Sequence, residues 1–403
     1  MKILYVLSGT PASGGATKSF LLMADAVAAA GHEVAVVVPD EDGVTPELRR
    51  RGWTVVSVPY TFCALPTLSL KPRDLLMFFP RMAKSVVLNL RARRKVNRFA
   101  REWGADIVHD NTSVTDLGHY AAKAAGCSHV IHVREYGWKD FRLVLPGLSK
   151  RMKWPDAWGV SITEDIASLR GPLMNPGRMR VVYNGIVDSD GISYNSKKSP
   201  CFLYGGRIEE AKGTGDLIDA YIEYCSRLRA ADPKAEPLRL RLAGGAPYPG
   251  YLEALKARVE GAGLTQEVDW LGEIRNLPEE AARAAATVIP SRFEGFGRVM
   301  PEVMAAGSLC IARNTGGSAE QMSNGRRLTG QDIALPFMTV GELTDRLMEV
   351  DRAFRGGKAF LPGGEMAEMI ARGQSTVGRL YSRRAYGESI VKLYSEIEAA
   401  SRR

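Results

Sequence analysis

Histidine and cysteine are both scarce in this chain, with five of each among 403 residues. The cysteines (Cys63, Cys127, Cys201, Cys225 and Cys310) are scattered, odd in number and without metal-ligand spacing. That excludes a disulfide framework and a cysteine metal site, and it fits a reducing compartment. No His/Cys/Asp cluster points to a bound metal. No stretch approaches the ~18 apolar residues that would span a bilayer. The opening Met1-Lys2-Ile3-Leu4-Tyr5-Val6-Leu7 has too short an apolar run for a secretion signal and no cleavage site, so it reads as a first buried strand. A cytoplasmic protein is expected. Hydrophobic content of 45% and charged content of 25% are those of a globular chain, and 403 residues exceed one ordinary core.

The net charge of +9 is uneven. Residues 1–195 hold 25 Lys and Arg against 18 Asp and Glu, and the remainder holds 29 against 27. The surplus gathers in 71–101, where Lys71, Arg73, Arg81, Lys84, Arg91, Arg93, Arg94, Lys95, Arg98 and Arg101 face one acid, Asp74. Leu75, Leu76, Phe78, Phe79, Met82, Val86, Val87, Leu88 and Leu90 are interleaved. Basic residues mixed with apolar ones suit an anionic membrane surface; a solvated helical face over an ordinary core contact has equal standing. Nucleic acid is not expected as a partner, because no recognition motif accompanies the charge.

Two halves repeat one plan. Strand 2–7, a helix from about Thr17, and strand 33–38 after Gly31 form a β-α-β unit with parallel strands. Strands are also expected at 106–109, 130–133, 158–162 and 180–183. The turn-rich stretch 188–200 (DSDGISYNSKKSP) is a credible linker. A second wound domain then opens at Cys201, with strands at 201–204, 238–242, 268–271, 287–289 and 309–312. Its helices are expected at 214–230, 249–262, 278–285, 297–306 and 339–352. The expected organisation is an N-terminal domain 1–195, a C-terminal domain 196–375 and an amphipathic tail 376–403. The fold class is α/β, with two Rossmann-like doubly wound domains facing across a cleft and ligands at the carboxyl ends of the strands.

The most informative segment is Pro290-Ser291-Arg292-Phe293-Glu294-Gly295-Phe296-Gly297-Arg298-Val299, continuing through Glu302 to Gly307. Glu294 should lie on a loop after a strand and Glu302 inside the next helix. Backbone amides of Gly295, Phe296, Gly297, Arg298 and Val299 would then leave a helix start, where unpaired N–H groups favour an anion. A carboxylate on either side of that anion site suits a ligand with a polyol at each end and phosphates between, as in a sugar nucleotide. Upstream, Gly205-Gly206-Arg207-Ile208-Glu209-Glu210-Ala211-Lys212-Gly213 places two cations five residues apart after a strand. Arg207 as a fork and Lys212 as a point charge could neutralise a diphosphate and stabilise its charge as it departs.

These residues resemble the signature of the retaining glycosyltransferases of family 4, which have the GT-B fold. The resemblance covers nearly the whole chain and is densest over 201–325. It implies that Arg207 and Lys212 contact the donor diphosphate and that Glu294 holds hydroxyls of the donor sugar. It also implies that Glu302 binds the ribose, that Leu271 lies near the base, and that Gly14 and Gly15 reach the diphosphate from the first domain. Gly316-Gly317-Ser318-Ala319-Glu320 fits the family too, and the last helix would cross back to the first domain. The donor is then a nucleotide diphosphate sugar, UDP- or GDP-linked by preference, with no other cofactor. The basic patch and the cytoplasmic character, rather than the resemblance, lead to the expectation of a glycan or lipid-linked acceptor in bacterial cell-surface glycan synthesis.

One departure stands out: His132-Val133-Arg134-Glu135 has arginine where many relatives have histidine. Arginine is permanently protonated and cannot act as a base. Arg134 could hold a donor or acceptor phosphate and Glu135 could orient a hydroxyl. His132 is expected to pack in the sheet, and His109 to touch the acceptor or to pack. Two other readings stay open: a sugar-nucleotide epimerase of the same fold and a non-catalytic sugar-nucleotide-binding subunit. A nicotinamide dehydrogenase is not expected, because Gly9-Thr10-Pro11-Ala12-Ser13-Gly14-Gly15 lacks the G-x-G-x-x-G order.

Overall fold

Runs of apolar residues with no polar alternation dictate parallel sheets covered on both faces. In β1 (Lys2–Val6) the residues Ile3, Leu4, Tyr5 and Val6 are all fully buried, as are Ala35 to Val38 of β2 (Glu33–Val38). The computed structural model describes residues 1–12, 14–63, 72–137, 144–188 and 192–401. Lys71 of the basic stretch, Ser13 of the glycine loop and 189–191 of the polar linker lie outside the described residues, as do the side chains of 72–77 and 79.

The chain divides into two compact units, Met1–Gly185 with Arg383–Arg403, and Ile186–Ser382. The first unit adds β3 (Thr54–Ser57), β4 (Ile107–Asp110), β5 (Ser128–Val133), β6 (Ala157–Ser161) and β7 (Met179–Val181). All pair in parallel in the order β3-β2-β1-β4-β5-β6-β7. Helix Gly15–Ala29 buries Phe20, Met23, Ala24 and Val27, the i, i+3, i+4, i+7 stripe of an amphipathic helix. The terminal helix Arg383–Ser401 joins the same core through Tyr386, Ile390, Leu393, Tyr394 and Ile397.

The second unit holds β8 (Ser199–Gly205), β9 (Arg239–Ala243), β10 (Val268–Gly272), β11 (Ala284–Ile289), β12 (Cys310–Arg313) and β13 (Leu335–Phe337). Their order is β10-β9-β8-β11-β12-β13, again all parallel. The chain winds outward from β8 to β10, then returns to place β11 on the other side of β8. That reversal opens a crevice at the carboxyl ends of β8 and β11, the place where open α/β sheets bind ligands.

Two expectations about elements need correction. The helix expected at 278–285 ends at Arg283, and Ala284 already begins β11. A run of alanines carries no period, and full burial against β8 decides for strand. The helix expected at 297 starts at Val299, because Gly297 takes φ +76, outside helical space. The basic stretch forms the long helix Pro72–Trp103, whereas the helices Gly316–Thr329 and Glu365–Thr376 and strand β13 had not been expected.

Candidate functional site

The two loops at the chain reversal of the second unit carry the charged residues singled out above. Lys212, in the 3-10 turn Glu210–Lys212 after β8, places Nζ 2.7 Å from Oε1 of Glu294, on the loop after β11. Ser291 Oγ donates to the same oxygen at 2.8 Å. Both charged side chains are mostly buried, with 23% and 18% exposure. The loops touch so closely that Gly213 must be glycine. It has φ +68, and a Cβ there would sit 2.0 Å from the Pro290 carbonyl oxygen.

Helix Gly316–Thr329 fixes the Glu294–Gly297 turn from the next strand along. Gly317 N–H donates to the Glu294 carbonyl at 2.9 Å, and Gln321 Nε2 donates to the carbonyls of Phe296 and Gly297. A Cβ on Gly317 would lie 2.3 Å from Phe296 O, so the small residues of Gly316-Gly317-Ser318 allow helix and turn to meet. Phe296 is buried, with its ring edge-on to Tyr381. Arg298 Nη2 lies 3.4 Å from Glu302 Oε1, one helical turn along.

Arg207 extends from the end of β8 and is 66% exposed, with Nη2 3.0 Å from Glu209 Oε1. Leu271 and Gly272 close β10, where Gly272 O accepts from Gly244 N–H at 2.7 Å. Gly206 follows β8, and its N–H donates to Ala243 O at 2.9 Å. The sequence therefore placed Arg207, Lys212, Gly206, Leu271 and the 294–302 segment at one end of one sheet, and the structure brings Lys212 and Glu294 into direct contact.

Residues that the sequence did not mark hold this arrangement. Arg313, at the end of β12 and nearly buried, donates to Pro290 O at 2.9 Å and to Met338 O at 2.7 Å, and it pairs with Asp216. Asp216 also receives Arg292, whose hydrogen bond holds its carboxyl below the usual range. A buried arginine at a strand end is the only sequence signal for this network, and it is too common to read alone.

The first unit has its own reversal, between β1 and β4. Gly14 caps the helix that follows β1, Gly15 begins it, and Asn111 after β4 donates Nδ2 to Ala16 O at 3.2 Å. Arg134 is placed differently from a phosphate-gripping residue. Its Nε donates to Asn111 O at 2.8 Å, Nη1 to Asn184 Oδ1 at 2.7 Å, and Nη2 to Asn111 Oδ1 at 3.0 Å and Tyr386 OH at 3.2 Å. Every guanidinium nitrogen is engaged by the unit itself, so Arg134 acts as a staple between strand ends and the terminal helix. Glu135 is buried and accepts from Ser113 N–H at 2.8 Å and from Ser113 Oγ.

His109 packs; it is not placed to meet an acceptor. It is fully buried, with Nδ1 2.6 Å from Tyr394 OH and Nε2 3.2 Å from His132 Nδ1. Burial, then the charge of Arg134, pushes both imidazoles well below their usual pKa. Among the described residues, no group of three or more His, Cys, Asp and Glu side chains is placed to hold a metal.

A family model described as glycosyl transferases group 1 matches residues 190–336, and one described as a glycosyl transferase 4-like domain matches 14–185. Glycogen synthase of Mycobacterium tuberculosis is 28% identical over 340 residues, covering 78% of this chain and 77% of that protein. The lipopolysaccharide core biosynthesis mannosyltransferase LpsB of Rhizobium meliloti is 32% identical over 144 residues, 36% of this chain and 39% of its own length. Among solved structures, Anabaena HepE in complex with UDP superposes with a TM-score of 0.73 at 18% identity, covering 98% of this chain and 100% of that one. A glycosyltransferase from Rickettsia africae gives 0.75 at 15% identity, covering 98% of each. At such identities the likeness of the structures establishes the fold alone.

Proposed function

As a member of the glycosyl transferases group 1 family, with the GT-B fold, this chain is a glycosyltransferase, and we propose that it moves a hexose-type sugar, with retention, from a nucleotide diphosphate sugar to an acceptor hydroxyl. The observation that carries this reading is the Lys212–Glu294 contact at the chain reversal of the second sheet. A cation there faces a departing phosphate, and the carboxylate beside it faces the sugar.

In this mechanism the bond from the anomeric carbon to the β-phosphate oxygen stretches first. Arg207 and Lys212 stabilise the negative charge growing on the nucleoside diphosphate, with no metal required. Glu294 holds sugar hydroxyls and lowers the energy of the positive charge developing at the ring. The acceptor oxygen then bonds to the anomeric carbon on the same face, and its proton passes to the leaving phosphate. Arg298, Glu302 and the backbone of Gly295 to Val299 grip the remainder of the nucleotide, with Leu271 and Gly206 beside it.

The donor is a UDP- or GDP-sugar: neighbours of the same fold were solved with UDP and UDP-glucose, and one relative is named as GDP-mannose-dependent. The acceptor is a glycan or lipid-linked hydroxyl in polysaccharide synthesis, in keeping with relatives named for lipopolysaccharide core synthesis, and the enzyme works at the cytoplasmic face of the membrane.

Thermal shift against a panel of UDP-, GDP-, ADP- and TDP-sugars identifies the donor, since a bound ligand raises apparent stability by mass action. Slow release of nucleoside diphosphate from that donor, lost in Lys212→Ala and Glu294→Ala, is the expected result. Donor binding without turnover, with candidate acceptors present, would overturn transfer and leave a binding subunit.

A further inference from the structure

We infer that the outer face of the helix Pro72–Trp103, over residues 82–98, is a docking surface for an anionic phospholipid bilayer. Its inner face is ordinary core: Ala92, Val96 and Ala100 are fully buried and pack with Leu4, Val6 and Val108. The outer face is not ordinary. Met82, Val86, Val87 and Leu90 are 39%, 52%, 47% and 45% exposed. At 3.6 residues per turn, positions 82, 86 and 90 form one stripe along the helix. Phe62, 49% exposed, follows Thr61, which two hydrogen bonds of 2.9 and 3.1 Å tie to Asn89 of the helix.

The structure also sorts the basic residues of this helix, which the sequence could only count. Arg93 turns inward to pair with Asp116 and stack 4.0 Å over the Tyr120 ring, and Lys95 donates to Ser57 O at 2.9 Å. Lys84, Arg91, Arg94 and Arg98 are exposed and flank the apolar stripe. Between Pro80 and Trp103 the sole acid is Glu102, 4.0 Å from Arg98. An exposed apolar stripe bordered by cations matches a lipid interface: the stripe enters the acyl boundary and the cations meet lipid phosphates. A second copy of the chain would bring like charges together, which disfavours self-association through this face. Among the described residues no helix is long and apolar enough to cross a membrane, so the contact is one of lying on the surface.

This inference rests on the proposed function only for the side of the membrane involved, and its test is independent of donor turnover. The full chain is centrifuged with vesicles of phosphatidylglycerol and phosphatidylcholine, and with phosphatidylcholine alone. Retention on the anionic vesicles at low salt, falling as salt rises, is expected. The double variant Val86→Asp, Leu90→Asp and the triple variant Lys84→Glu, Arg91→Glu, Arg94→Glu should each weaken it by roughly tenfold or more. All these side chains are exposed, so unchanged thermal unfolding and unchanged nucleoside diphosphate release from the donor are expected in both. Failure of the wild-type chain to bind the anionic vesicles, equal retention of the variants, or a dimer in sedimentation velocity that the double variant abolishes would each overturn the docking surface. Vesicle binding with no donor turnover would instead sink the proposed function and leave this surface standing.

Discussion

Lys212 and Glu294 belong to loops that leave neighbouring parallel strands at the point where the chain reverses its winding, and their side chains meet at 2.7 Å. Each charge is thereby held before any ligand arrives. A preorganised cation does not have to be gathered as the phosphate departs, which is the physical basis of electrostatic catalysis. Lys212→Ala should lower donor turnover by about 10²–10³-fold. Glu294→Gln keeps the size and a hydrogen-bonding oxygen but removes the charge. It should lower turnover more than it weakens donor binding, measured as kcat against KM.

Gly213 predicts a different kind of failure. In Gly213→Ala a methyl group would have to share space with the Pro290 carbonyl, 2.0 Å away, in a backbone region alanine avoids. Strain of about 1–3 kcal/mol is expected, together with separation of the two loops and hence of Lys212 from Glu294. Urea unfolding and donor turnover should both fall. Loss of stability with turnover intact would show that the loops do not need this contact.

Much of this was legible in the sequence, for identifiable reasons. Buried parallel strands such as Ile3 to Val6 announce themselves as unbroken apolar runs. The glycines around Glu294 and Lys212 mark turns that no other residue makes as readily. What the sequence left hidden is what long-range packing decides. His109 follows a strand pattern whether it faces a ligand or, as found, Tyr394 at 2.6 Å, 285 positions away. Arg134 looks like a ligand-binding cation until Asn111, Asn184 and Tyr386 are seen to surround it. Helix Gly316–Thr329 begins with two glycines, which lowers its local propensity, yet those glycines let it press on the Glu294 turn.

Arg313 should act on the site without touching substrate. Arg313→Met removes the donors that hold Pro290 O and Met338 O and leaves Asp216 with Arg292 alone. Breaking a largely buried pair of this kind destabilises by about 3 kcal/mol. Arg313→Lys, which keeps the charge but loses the fork, should restore part of that stability. If Arg313 positions the 290–297 loop, the lysine variant still shows a raised KM for the donor; an unchanged KM would assign it to stability alone.

The histidines give a pH dependence whose sign follows from burial. His109 and His132 are enclosed by Tyr394, Tyr5 and Arg134, and their folded pKa values lie well below the unfolded value near 6.5. Burial also lowers His119, to about 3. Below pH 6.5 the unfolded chain therefore takes up protons that the folded chain refuses, so stability rises with pH. Their neutral burial is fully compatible with folding above pH 6.5, and stability is lost as pH falls from there toward the folded values. Each such histidine should contribute a loss approaching roughly 1.4 kcal/mol per pH unit below its unfolded pKa. Urea midpoints should fall between pH 7.5 and 5.5, and the fall should be shallower in His132→Gln, which lacks one titrating ring. An identical slope in that variant would mean that His132 already carries its proton in the folded chain, contrary to its place beside the Arg134 guanidinium.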